Sequence, residues 1–89
     1  MRFFLSKSGR SYYAIPQTDG SFNVFFWARD AGENGEWVPA KRTVEELLSD
    51  PRIEELLNED AFGYPAKKAY RELYPQHPGG DTVVSSYRR

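Results

Sequence analysis

The chain contains no cysteine. Disulfides, thiolate metal ligands and a thiol nucleophile are therefore excluded, since each needs that sulfur. There is a single histidine, His77, set in "QHPGGD" between prolines and glycines. Such a loop offers no second group to orient it as a general base, so the plain reading is an exposed loop residue. Long apolar runs are missing too. Nothing approaches the roughly 20 residues that a membrane-spanning helix needs. The apolar start of "MRFFLS" is too short for a signal-peptide core. A soluble, cytoplasmic protein without membrane attachment is the expectation.

Hydrophobic residues make up 39% of the 89, charged residues 28% and aromatic residues 16%. That is the composition of a globular chain, with a high aromatic share. A chain of this length hides only about 60–65% of its unfolded surface. One domain is expected over residues 1–75. Residues 76–89 then form a Pro/Gly linker and a C-terminal tail, "TVVSSYRR", able to supply an added strand.

Net charge is −1, but the signs are unevenly placed. Residues 1–42 hold six Lys/Arg against four Asp/Glu, residues 43–62 one against seven, and residues 63–89 five against two. The middle of the chain is an acidic body between mildly basic flanks, a pattern that bears on partners rather than on fold.

Turn signals punctuate the first half at Ser8-Gly9, Asp19-Gly20 and Asn34-Gly35. Between them lie "RFFLS", "SYYAIP", "SFNVFFWAR" and "EWVPA", rich in aromatic and β-branched residues. These read as an antiparallel meander of three strands with a fourth near Trp37-Val38. Pro16 and Pro39 close their strands or sit on an edge, because proline cannot donate to a ladder. At Thr43 the period changes: Thr43-Val44-Glu45-Glu46 has the capping-box form that opens a helix. Asp50-Pro51 interrupts it and reads as the start of a second helix with Ile53, Leu56 and Leu57 as its stripe and Gly63 as its terminator. A third helix is expected from about Pro65 to Tyr74, with Ala66, Ala69, Tyr70 and Leu73 on one face. Strands first and helices after give an α+β fold: a meander of three to four strands followed by three short helices packed on one face.

In that arrangement the third strand directs Phe22, Val24 and Phe26 at the helices, together with Phe3, Leu5, Tyr13 and Ile15. The opposite face carries Phe4, Tyr12, Phe25 and Trp27, with Arg29 beside them. One layer of helices covers one face, so this second face is either a minor core under the tail "TVVSSY" or the fourth strand, or a candidate partner or dimer surface. A second candidate is acidic: Glu45, Glu46, Glu54, Glu55, Glu59 and Asp60 on the helices, offered to a protein with a basic surface. No catalytic set is visible, and the carboxylates are spread as a solvated exterior rather than converging on a substrate or a metal. The expectation is a non-enzymatic protein-binding module without a cofactor, with a homodimer as a further partner. The alternative is nucleic-acid binding, with Phe4, Tyr12, Phe25 and Trp27 as stacking platforms and Arg2, Arg10 and Arg29 as phosphate contacts. The acidic middle weighs against that alternative.

A short cysteine-free domain with an acidic patch, an aromatic patch and no catalytic set resembles, in format, the small phage-encoded inhibitors of bacterial defence, anti-CRISPR proteins among them. That resemblance implies a protein partner and no reaction. The three-stranded sheet is also similar to the arm-type DNA-binding domains of phage integrases.

Overall fold

Two glycines set the first hairpins. Gly9 and Gly20 have φ of +94° and +90°, a backbone region open to glycine and strained for other residues. They turn β1 (Arg2–Ser6) into β2 (Ser11–Pro16) and β2 into β3 (Phe22–Ala28). At the second turn the Asp19 carboxylate accepts from the Ser21 amide and hydroxyl at 3.0 and 2.6 Å. The computed structural model describes residues 1–74. The proposed linker, tail and added strand at 76–89, and with them His77, lie outside the described residues.

A longer connection leads to β4 (Glu36–Pro39), and both strand prolines stand last in their strands, as the sequence predicts. The capping box forms in full. Thr43 Oγ1 accepts from the Glu46 amide at 3.1 Å and Glu46 Oε1 accepts from the Thr43 amide at 2.8 Å. It opens α1 (Val44–Ser49).

The expected second helix does not exist. Asp50 has an extended backbone, and its carboxylate accepts the Arg52 amide at 2.9 Å, which makes a turn rather than a helix start. Ile53–Leu56 then forms a fifth strand, β5, antiparallel to β1 with Phe3 opposite Leu56 and Phe4 opposite Glu55. Tertiary pairing overrides the helical spacing here, because β1 would otherwise leave a row of amides and carbonyls unpaired beside two fully buried phenylalanines. A single 3₁₀ turn (Glu59–Ala61) follows, and α2 (Tyr64–Leu73) ends the described chain. Gly63 is the N-cap of α2 and not the end of an earlier helix.

The fold class is α+β, with a five-stranded antiparallel sheet in the order β4-β3-β2-β1-β5 and two α-helices rather than three. The helices also do not share a face. The segment from β4 to β5, with α1 in it, crosses one face and buries Val44 and Leu47 against Phe4, Tyr12, Ala14 and Val24. The 3₁₀ turn and α2 lie on the other, where Phe62, Ala66 and Tyr70 pack on Phe3, Tyr13, Trp27 and Leu56.

The register differs from the expectation by one residue in β3. Tyr12 stands opposite both Phe4 and Phe26, and Tyr13 opposite both Phe3 and Phe25. A one-residue slip exchanges every side chain between faces, so Phe25 and Trp27 belong with Phe3 and Tyr13 under α2. Phe4 and Tyr12 belong with Val24 and Phe26 under α1.

Candidate functional site

These placements divide the aromatic set. Phe4 and Tyr12 are buried on the α1 face. Trp27 is 9% exposed on the α2 face, edge-on to Trp37 with ring centroids 5.3 Å apart. Phe25 stacks on Tyr13 at 5.1 Å. The four rings therefore form no single exposed surface, and the corrected register is the cause.

Four of the six acidic candidate residues are engaged within the chain. Glu55 accepts two hydrogen bonds from Arg2, both 2.8 Å, across the β1–β5 pair. Glu59 is completely buried and Asp60 stands beside it; Arg71 joins both, through Nε to Glu59 at 2.8 Å and Nη2 to Asp60 at 2.9 Å. Lys67 adds a second contact to Asp60 at 3.2 Å. Glu46 serves the capping box. Glu45 and Glu54 remain as exposed carboxylates with no ion-pair partner among the described residues.

The cations behave differently. β1 and β3 run toward the same end of the sheet, and β5 begins there, with Ile53 opposite Ser6. The β1–β2 turn, the β3–β4 connection and the Asp50–Arg52 turn therefore converge at one end. They bring together Lys7, Arg10, Arg29 and Arg52, and Arg42 approaches from the segment before α1. Lys7, Arg10 and Arg29 have no carboxylate partner among the described residues. Arg10 lies over the Phe26 ring, 4.7 Å from its centroid, so its guanidinium is held by a cation–π contact and not by an acid. Arg42 and Arg52 share one acid, Asp50, at 3.2 and 3.1 Å. Hydrogen bonds from the Arg52 side chain and amide, and then from Arg42, hold the Asp50 carboxyl far below the usual carboxylate range. The Ser6 hydroxyl accepts from the Arg10 amide at 2.9 Å and shares a 2.8 Å hydrogen bond with Ser8.

Surface depressions link up across this end. A groove of about 460 Å³ on the α1 side is lined by Lys7, Ser8, Arg10, Tyr12, Arg42 and Arg52, with Asp50 as its one acid. Ser8 and Arg10 also line a depression at the hairpin tip, where Gly9, Arg29, Asp30 and Trp27 join them. Gly9, Arg29 and Trp27 continue into a third, walled by Asn34, Gly63 and Pro65. Trp27, Asn34 and Pro65 lead into a groove of about 590 Å³ between α2 and the β3–β4 connection, with Tyr64, Glu33 and Glu36 in its walls. Neighbouring depressions share lining residues, so they make one track over the end of the sheet, cationic on the α1 side and aromatic on the α2 side.

Of the residues singled out from sequence, the track contains Arg10, Arg29 and the edge of Trp27. Tyr12 lies at its floor. Arg2 faces Glu55 instead. Sequence reasoning missed Lys7, Arg42, Arg52, Asn34 and Tyr64. The available signal was the parity of hairpins: turns one and three of a meander fall at the same end, which groups Lys7 and Arg10 with Arg29 and Asn34.

Among the described residues no group of three or more His, Asp or Glu side chains is placed to hold a metal ion, and no helix is long and apolar enough to cross a membrane. No protein-family model, curated protein or solved structure matches this chain.

Proposed function

We propose that this protein is a non-enzymatic binding module that meets an anionic macromolecule with the hairpin end of its sheet. One observation carries the reading: Lys7, Arg10 and Arg29 gather at one end of the sheet with no carboxylate partner among the described residues, while Glu55, Glu59, Asp60 and Glu72 each pair with an arginine or lysine elsewhere. Unpaired cations gathered at one end create a local positive potential that a net charge near zero conceals, and such a field steers an anionic partner to that end. The hydroxyls of Ser6 and Ser8 engage each other, and that of Ser6 accepts from the Arg10 amide, a recognition surface and not a nucleophile beside a base.

Retention on an immobilised polyanion such as heparin tests this. The wild type should be retained at low salt and released as salt rises, because the contacts are between exposed charges. Lys7→Glu with Arg10→Glu should abolish retention. An unretained wild type, or a double variant that behaves like it, overturns the reading.

A second reading keeps the protein partner with a basic surface, in the manner of a small inhibitor of bacterial defence. Glu45 and Glu54 support it as exposed acids without ion-pair partners among the described residues. Here Glu45→Lys with Glu54→Lys would slow association, whereas under the first reading the same pair of changes leaves retention on polyanion intact or strengthens it.

A further inference from the structure

We propose that the anionic partner is a single-stranded nucleic acid lying along the track over the sheet end. Its phosphates would meet Lys7, Arg10 and Arg52, and one base would stack on Tyr64 in the groove between α2 and the β3–β4 connection. This rests on the reading that the hairpin end takes an anion, and it adds the chemical class and the second half of the site.

Three features of the track select this ligand. The first is its path, which bends from the α1 face over the hairpin tip to the α2 face through depressions that share Ser8, Gly9, Arg29 and Trp27. A single strand turns that corner, whereas duplex DNA, with a persistence length of about 150 base pairs, resists so sharp a bend. The second is the aromatic at the far end. Tyr64 is 74% exposed, unusual for so large a ring, and it stands in the wall of the groove of about 590 Å³ between α2 and the β3–β4 connection. Exposed aromatics beside a cationic track are the stacking platforms of single-strand binding, and a duplex keeps its bases where Tyr64 has nothing to stack on.

The third is the division of charge along the track. Lys7, Arg10, Arg42 and Arg52 line the α1 half with Asp50 as its one acid, while Glu33, Glu36 and the Lys68–Glu72 pair line the groove around Tyr64, with the Asn34 amide beside them. An acidic peptide would suit the first half and be repelled by the second. A nucleotide strand suits both: its phosphates carry the negative charge, and its bases are neutral with amino groups that donate to carboxylate and amide oxygens. Arg29, between the halves, is placed to hold the phosphate next to the stacked base.

Fluorescence anisotropy with labelled ligands at low salt tests the proposal. The ligands are a mixed-sequence single strand of about 12 nucleotides, within the ~4–16 typical of such sites, its duplex, an abasic phosphodiester strand of the same length, and a polyglutamate of equal charge. The single strand should bind best. Tyr64→Ala should weaken it about 5- to 150-fold, the equivalent of losing one stacked base, and leave the abasic strand unaffected. Tyr64→Phe should restore binding. Arg10→Ala should lower the salt slope by about one. Tyr64 is exposed, so its variants keep the fold, checked by circular dichroism. Equal affinity for the duplex, preference for polyglutamate, or a Tyr64→Ala variant as tight as wild type overturns this inference and leaves the anion-binding reading standing. Failure to bind any of the four ligands overturns both.

Discussion

Gly35 lies directly on the indole of Trp27: a Cβ at position 35 would fall 2.7 Å from Trp27 Cζ2. The glycine also has φ of +87°, so its identity is required twice, by backbone conformation and by contact. Gly35→Ala should cost at least the ~1–2 kcal/mol of a left-handed backbone with a side chain, and more for the clash. It should also change the tryptophan emission, since Trp27 has to move. Urea denaturation followed by fluorescence measures both. A variant with wild-type stability and spectrum would mean the β3–β4 connection does not press on Trp27.

Both faces of the sheet are core, and a pair of substitutions tests that directly. Phe4 is fully buried under α1 and Trp27 nearly so under α2. Phe4→Ala and Trp27→Ala should each cost about 3–5 kcal/mol. The sequence alone predicts a different outcome, with Trp27→Ala nearly neutral on an open face. Equilibrium unfolding of the two variants decides between them: a Trp27→Ala protein as stable as wild type would reinstate the open aromatic surface.

Neighbouring glutamates on β5 should behave unlike each other. Glu55 takes both hydrogen bonds of the Arg2 guanidinium in a partly buried pair, whereas Glu54 is exposed with no ion-pair partner among the described residues. Glu55→Ala should lose about 1.5–3 kcal/mol, the range for hydrogen bonds to charged groups. Glu54→Ala should stay within about 0.5 kcal/mol of wild type. The difference in urea midpoint is the measurement, and equal midpoints would show that the Arg2–Glu55 pair contributes nothing to stability.

What was legible in the sequence was local. Gly9, Gly20 and Gly35 are turn glycines because their backbone conformation demands it, and Thr43 with Glu46 forms its box over four consecutive residues; neither depends on distant contacts. The α+β class followed from those elements. What was illegible was the choice between faces. Phe22, Val24 and Phe26 alternate with Phe25 and Trp27, and when both sides of a strand are covered the pattern carries no sign to fix its register. Ile53, Leu56 and Leu57 satisfy helical spacing, yet Ile53 packs under α1 and Leu56 under α2. Only the open edge of β1, some fifty residues earlier in the chain, makes that segment a strand. The cationic end was missed for the same reason. Arg42 and Arg52 reach Lys7 and Arg10 through pairing across the sheet, and no window of sequence contains all four.

Asp50 links the stability of the protein to the strength of its candidate site, and it should move the two in opposite directions. Its carboxyl is held well below the ordinary value near 3.8, by Arg52 first and then Arg42. A depressed folded-state value means that the stabilisation is fully present above the unfolded-state value and is lost as pH falls through the folded one. The wild type should therefore lose stability steadily below about pH 4, and Asp50→Asn should flatten that part of the profile while being less stable at neutral pH. The same change removes the one acid in the cationic groove and frees Arg42 and Arg52. Polyanion binding should tighten, and its salt dependence should steepen as further cations take part. Thermal melts from pH 3 to 7 and salt-dependent retention on heparin give the two readings. A variant that loses stability without gaining affinity would place Arg42 and Arg52 outside the binding surface and leave Lys7, Arg10 and Arg29 to carry it.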